Sequence, residues 1–159
     1  MEKLKIYLAG GLFNAGQRLH VLYLAKYLRE LGYTVILPMV EALKFRKGDG
    51  FDLPAVRKDC RRLCQDPKIL YVGTADGPDA DSGTCVEYGI TITATGRGIV
   101  IRTDFRTAKE KEVGLNAMLE LEGTTFIYHP CYFTDLDQVE DYYRELARKI
   151  HEAILNIAQ

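Results

Sequence analysis

The stretch LKIYLAGGLFNAGQRLHVLYLAKYLRELGYTVIL, residues 4–37, decides the fold class. Leu4 to Ala9 is a short apolar run that stops at Gly10-Gly11, the form of a buried strand ending in a loop. Asn14, with Gln17 three positions on, resembles a capping box, and Val21, Leu24, Ala25, Leu28 and Leu31 then recur at helical spacing until Gly32 supplies a stop. Tyr33 to Leu37 is rich in strand formers and ends at Pro38. Strand, helix and strand are complete by residue 37, and a turn this short after the helix favours a parallel crossover.

The alternation continues outward from this unit. Pro38 to Gly50 has no clear period and reads as a mobile loop over one end of the sheet, a candidate lid. Asp52, followed by Pro54, opens a helix to about Gln65, and Ile69 to Val72 forms a third strand. An acidic loop leads into a helix from about Gly83 to Thr95, and Gly98 to Arg102 is the fourth strand. Thr125 to Tyr128 is a fifth. Thr134, with Asp137 three residues on, is expected to cap a last helix whose apolar stripe runs Leu136, Val139, Tyr143, Leu146, Ile150, Ile154 and Ile157. The expected architecture is α/β, an open five-stranded parallel sheet of flavodoxin-like or Rossmann-like type with helices on both faces. Ligands in such sheets bind beyond the carboxyl ends of the strands, where strand order reverses. The loops after strands one, three and four therefore matter most.

Length and charge narrow the function. A chain of 159 residues suits a single domain spanning 1–159, and 47% hydrophobic with 27% charged residues excludes a disordered tail or a rod. Lys and Arg number 21 against 22 Asp and Glu, so no global positive field gathers nucleic acid or a membrane surface, and a small partner is expected. Cys60, Cys64, Cys85 and Cys131 form no CxxC pair and read as reduced thiols. With His129 they make a poor zinc set, because structural zinc sites draw close ligand pairs from tight turns. The first residues carry no apolar leader segment, and a cytoplasmic location is expected.

Common motifs fail at the loops. Gly10-Gly-Leu-Phe-Asn-Ala-Gly16 matches neither GxGxxG nor GxxxxGK[ST]. A calcium loop from Asp79 is broken at Ala80 and ends on Ile90 where a Glu is needed. Ser82 lacks the glycine that precedes the serine of a nucleophile elbow. What remains is Asp76-Gly-Pro-Asp79-Ala-Asp81-Ser-Gly-Thr-Cys-Val-Glu87-Tyr-Gly, four carboxylates at a strand-to-helix junction. A helix dipole accounts for one or two of them, and a solvated acidic loop is one reading. The other gives Glu87 a chemical role. A carboxylate aimed at the carboxyl end of the sheet can attack an electrophilic carbon while a neighbouring acid donates a proton, a pairing suited to glycosyl chemistry.

Tyr7-Leu-Ala-Gly10-Gly-Leu-Phe13, Asp76-Gly-Pro with Asp81-Ser-Gly-Thr-Cys-Val-Glu87-Tyr-Gly, and Asn116-Ala-Met118 occur in this order, and together they resemble the nucleoside 2-deoxyribosyltransferase family over residues 4 to 130. The resemblance implies the same fold and the transfer of 2-deoxyribose between nucleobases through a covalent glycosyl-enzyme ester, with a deoxynucleoside donor, a free nucleobase acceptor and no metal or organic cofactor. By the same resemblance Glu87 is the nucleophile at C1′, Tyr7 orients it, and Asp81 and Asp59 hold the base and move its proton. Phe13 packs on the base, and Gly10, Asp76 and Gly83 are expected among the substrate-binding residues. Asn116 and Met118 are expected to complete a neighbour's site in a homo-oligomer. Gly11 departs from the pattern, standing where many members have proline.

Two rival readings accompany this one. Nucleoside 5′-monophosphate N-glycosidases share the fold and the Gly-Thr-x-x-Glu segment but favour hydroxyl and basic residues after strand one, where this chain has Gly-Gly-Leu-Phe-Asn and reaches Arg18 only later. A non-catalytic flavodoxin-like binding domain would use the acids only to hold magnesium or to solvate a loop. Arg102, Asp104 and Arg106, after strand four, read equally as an ion-paired group or as substrate contacts.

Overall fold

A computed structural model describes residues 4–106 and 114–157. Met1 to Lys3, part of the stretch read above for a leader, lie outside the described residues. The chain runs β1 (Lys5–Ala9), α1 (Ala15–Glu30), β2 (Thr34–Ile36), α2 (Pro38–Glu41), β3 (Arg46–Lys47), β4 (Gly50–Phe51), α3 (Leu53–Gln65), β5 (Ile69–Thr74), α4 (Ser82–Thr95), β6 (Gly98–Arg102), β7 (Thr124–Tyr128) and α5 (Val139–Ile157). The main sheet has the order β2-β1-β5-β6-β7 with every pairing parallel, while β3 and β4 form a small antiparallel pair. Strand order reverses between β1 and β5, which run in register from Lys5 opposite Ile69 to Ala9 opposite Gly73.

Because the strands are covered on both faces, alternate side chains fill two separate layers. Ile6, Leu8, Leu70, Val72, Ile99 and Ile101 pack with α1 and α5 on one face. Tyr7, Ala9, Ile69, Tyr71 and Val100 meet α3 and α4 on the other. No helix among the described residues is long and apolar enough to cross a membrane.

The termini of α1 follow the sequence. Asn14 Oδ1 accepts the Gln17 backbone N–H at 3.0 Å, although the Gln17 side chain reaches back to the N–H of Phe13. At the other end Gly32 takes φ 88°, and the bonds Tyr33 N–H to Leu28 O and Gly32 N–H to Arg29 O close a Schellman motif. Asp52 caps α3 through the Ala55 N–H.

Two expectations are corrected here. Residues 38–50 are an ordered sequence of short elements: Pro38 opens the single-turn α2, a 3₁₀ turn covers Ala42–Phe45, and the β3–β4 hairpin follows. Each is held by near neighbours, including the Lys44–Glu41 and Lys47–Asp52 pairs, so no long hydrophobic period marks them. At the start of the last helix the capping residue is Asp135, whose carboxylate accepts the Asp137 N–H, and the Thr134 N–H goes to the Gln138 side chain. Leu136 lies in the resulting 3₁₀ turn and is 85% exposed, so the buried stripe begins at Val139.

Gly73 fixes how α4 sits on the sheet. A Cβ there would stand 2.5 Å from ring carbons of Tyr71 and closer still to its hydroxyl, which donates to the Thr84 carbonyl of α4 at 2.9 Å. Gly73→Ala is expected to cost about 1–3 kcal/mol, the usual range for overpacking a filled core. Urea unfolding at neutral pH measures it, and a variant as stable as the parent would show that Tyr71 has room to move.

Candidate active site

Tyr7 is the third residue of β1, and alternation turns it to the α3/α4 face, where it is 1% exposed. Its hydroxyl donates to Glu87 Oε1 at 2.7 Å across 80 residues of sequence. Glu87 stands on the second turn of α4 and is partly buried. Burial pushes its carboxyl up to about 7, the nearby Asp81 carboxylate adds to the rise, and the Tyr7 hydrogen bond opposes it. Burial, with the Glu87 charge second, drives the Tyr7 phenol far above its ordinary value, so it remains a donor. Cys64 also feels Glu87, and burial first of all lifts its thiol to about 12. The carboxylate thus sits beside a protonated phenol and a protonated thiol, with Asp81 as a like charge nearby, and changes charge near neutrality. It can act as a nucleophile when ionised and as an acid when protonated.

Asp81 is the N-cap of α4, and its Oδ2 accepts from the Thr84 backbone N–H at 2.9 Å and from the Thr84 hydroxyl at 3.0 Å. A Cβ at Gly83 would come within 3.2 Å of the same oxygen, so the glycine keeps that side of the cap open. Asp81 is also on the wall of a cleft of about 550 Å³ at the β1/β5 switch point. The cleft wall includes Gly10, Gln17, His20, Thr74 and Thr103, with Asp76 and Asp79 as further carboxylates. Neither lysine nor arginine lines it among the described residues. Glu87 is not on that wall. Asp81 connects the two groups, by lining the cleft and by acting on the charge of Glu87.

Asp76 holds the cleft floor together. Its Oδ1 accepts the N–H groups of Thr103 at 2.7 Å and Asp104 at 3.0 Å, and Oδ2 accepts the Thr103 hydroxyl. The loops after β5 and β6 are thereby joined. Gly10 lines the cleft beside Thr74. At Gly11 the Gln17 carboxamide fills the space a side chain would need. Phe13 is 78% exposed on the loop between β1 and α1.

The remaining candidates lie elsewhere. Asp59 pairs with Arg62, Oδ1 accepting from Nη2 at 2.7 Å and from Nε at 3.1 Å, on an open groove with Phe45 and Lys58. Cys60, next to it, lies close enough to Glu87 and Tyr7 to feel both. Asn116 caps a 3₁₀ turn over Ala117–Leu119 through the Met118 N–H, and Met118 is 64% exposed. Both line a second cavity of about 310 Å³ against α4 with Tyr88 and Arg102, which shares Pro78 and Asp79 with the cleft. Arg106 pairs with Asp104 and holds that carboxyl well below its usual range. Arg102 is 2% exposed and binds backbone carbonyls, Ala75 O at 2.6 Å and Gly77 and Arg106 O at 3.3 Å. It is a loop fastener at this site. His20 and Thr74 were missed by sequence reasoning. One signal was present, since Thr74 continues the inward alternation of Leu70 and Val72 as a polar residue at a strand end.

The sequence matches no family model and no curated protein at a significant level. Solved structures do share the fold. A 2-deoxyribosyltransferase from Bacillus psychrosaccharolyticus superposes with a TM-score of 0.61 at 25% identity, over 90% of this chain and 95% of that one. A conserved protein of Enterococcus faecalis V583 gives 0.60 at 19%, over 90% and 98%. The CMP N-glycosidase of Clostridium botulinum gives 0.53 at 13%, over 92% and 98%. The five-stranded parallel sheet with helices on both sides is therefore shared with a deoxyribosyltransferase.

The raised Glu87 carboxyl carries a stability consequence with a definite sign. Below the ordinary value of 4.5 the group is protonated folded or unfolded and costs nothing, whereas above about 7 the fold must hold a charge it disfavours. Glu87→Gln is expected to stabilise the protein on the order of 2 kcal/mol at about pH 8 and to be neutral at about pH 4. Thermal or urea unfolding at the two pH values measures this, and equal effects at both would exclude a buried charge as the cause.

Proposed function

We propose that this chain transfers 2-deoxyribose between nucleobases, with Glu87 as the covalent nucleophile. The Tyr7–Glu87 hydrogen bond carries the reading. A half-buried carboxylate oriented by a phenol at the carboxyl edge of a parallel sheet suits attack on a sugar carbon and stabilises the positive charge that builds there. The fold shared with a 2-deoxyribosyltransferase supports the same reaction class.

In the first step a Glu87 carboxylate oxygen bonds to C1′ as the C1′–N bond breaks. The electron pair goes to the base nitrogen, and Asp81 in its acid form protonates the leaving base, giving free base and a glycosyl ester. A second base then attacks C1′ from the opposite side, Asp81 takes up its proton, and Glu87 leaves as a carboxylate. Two displacements at one carbon retain its configuration. Phe13 is assigned to pack on the base, and Gly10, Asp76 and Gly83 to shape the substrate site. Asp59 is assigned to the base as well, after release from Arg62. Asn116 and Met118 line a cavity that adjoins the Asp81 cleft through Pro78 and Asp79, and they are assigned to complete a neighbour's site within a homo-oligomer. A nucleoside fits better than a nucleotide, because the cleft wall offers Asp76, Asp79 and Asp81 and no cation among its described residues to meet a phosphate.

The test is incubation with a deoxynucleoside and a different free base. Exchanged nucleoside is expected, together with an intact-mass adduct of one deoxyribosyl group on wild type that is absent from Glu87→Ala, which should lose at least about a thousandfold in exchange. Free deoxyribose without exchanged nucleoside would overturn transfer in favour of hydrolysis. The rate should rise with pH through about 7 as Glu87 ionises. Tyr7→Phe removes the bond that favours the ionised form, so it should move that limb upward by about one unit.

A further inference from the structure

His20 and Thr74 form a polar pair on the wall of the cleft, on the face of the sheet opposite to Tyr7 and Glu87. His20, on α1, is partly buried, with Nε2 3.0 Å from Thr74 Oγ1 and Nδ1 3.0 Å from the hydroxyl of Tyr143 on α5. Thr74 is 7% exposed at the end of β5, and a Cβ on Gly10 would stand 3.9 Å from its Oγ1, which places that hydroxyl at the cleft wall.

The hydrogen bonds select one arrangement of protons. Burial lowers the affinity of His20 for a second proton, with the Asp76 charge opposing, so the ring is neutral and carries one N–H. If that N–H were on Nδ1, it would donate to Tyr143, and the phenol proton of a tyrosine only 6% exposed would have no acceptor among the described residues. With the N–H on Nε2, Tyr143 donates to Nδ1 and Nε2 donates to Thr74 Oγ1, so the one hydroxyl proton left over belongs to Thr74, at the cleft wall, rather than to Tyr143 between α1 and α5. Burial holds the Tyr143 phenol protonated, its value pushed well above the ordinary one, which suits that donor role. The Thr74 proton is then excluded from the histidine and points elsewhere. The other hydroxyl on the cleft wall, that of Thr103, is already given to Asp76. Thr74 is thus a neutral hydroxyl donor on a wall whose nearby carboxylates only accept.

We infer that Thr74 donates a hydrogen bond to a neutral acceptor atom of the bound nucleoside, a hydroxyl, carbonyl or ring nitrogen, and that His20 is the positioning residue that turns the Thr74 proton into the cleft. This rests on the proposed use of the cleft for an uncharged nucleoside. Thr74 supplies a contact on the α1/α5 side of the sheet, while Glu87 acts from the α3/α4 side.

Two measurements test it. Long-range ¹H–¹⁵N correlation on histidine-labelled protein, assigned with His20→Gln, should show the Nε2–H tautomer of His20 in the parent and a gain of the Nδ1–H form in Tyr143→Phe. A parent ring protonated on Nδ1 overturns the inference. Calorimetric binding of a panel of 2′-deoxynucleosides, in a Glu87→Gln background that cannot turn over, reads the contact itself. Thr74→Val should weaken binding about tenfold, the loss of one neutral hydrogen bond, and Thr74→Ser should restore it to within about twofold. Binding by the parent that Thr74→Val leaves unchanged overturns the contact while the proposed function stands. No binding by the parent, with the Nε2–H tautomer present, overturns both the contact and the use of the cleft for nucleosides.

Discussion

A strand covered on both faces must send successive side chains to opposite layers, and the placement of functional groups in this protein descends from that rule. In β1 it sends Ile6 and Leu8 to α1 and α5 and turns Tyr7 toward α3 and α4. In β5 it sends Tyr71 to the α4 side and Thr74 to the α1 side. The two strands are adjacent and in register at the switch point, so the middle of β1 delivers a phenol to one layer and the end of β5 a hydroxyl to the other. A ligand lying across that edge meets different chemistry from each face. A one-residue slip of either strand would exchange its functional groups for apolar ones.

The electrostatics of the edge are set more by what surrounds each charge than by pairing. Glu87 is influenced by a phenol and by another carboxylate, and no cation among the described residues contributes to its shifted ionisation. Arg102, the buried cation nearest this end of the sheet, binds the carbonyls that terminate β5 and begin the next loop. Asp76 does the complementary work with the N–H groups after β6. One charge of each sign is thus engaged in joining the two loops, while Asp79 and Asp81 keep the cleft wall acidic and burial keeps a proton on Glu87 near neutrality. A carboxylate with that tendency is also a better partner for an electron-poor sugar carbon than one neutralised by arginine.

The parts of this molecule legible from sequence are those where local chemistry and long-range packing agree. The helix α1 announces itself through Asn14, its apolar stripe and Gly32, and the structure uses each. Asp52 and Asp81 stand at true helix starts for the same reason. Where two neighbours are equally able to cap, sequence does not choose, and Asp135 takes the position expected of Thr134. The segment of α2, its 3₁₀ turn and the hairpin escaped notice because each element is too short for a period to show. Asp59 illustrates a different limit: its carboxylate and the Arg62 guanidinium are one helical turn apart, and spacing does not reveal whether such an acid serves a helix or a ligand. His20 sits one residue from the buried Val21, at the margin of an apolar stripe, where it is indistinguishable from an ordinary flank residue until α5 and β5 close around it.

Asp81 joins these arguments, since a single carboxyl group caps α4, lines the cleft and acts on the charge of Glu87. Both capping bonds fall on Oδ2. Oδ1 takes no part in either bond, so one oxygen holds the helix that carries Glu87 while the other is left to face the cleft that Asp81 lines. The negative charge of Asp81 also adds to the rise of the Glu87 carboxyl, after burial. The residue that starts α4 is thus also the like charge that helps keep a proton on Glu87 near neutrality.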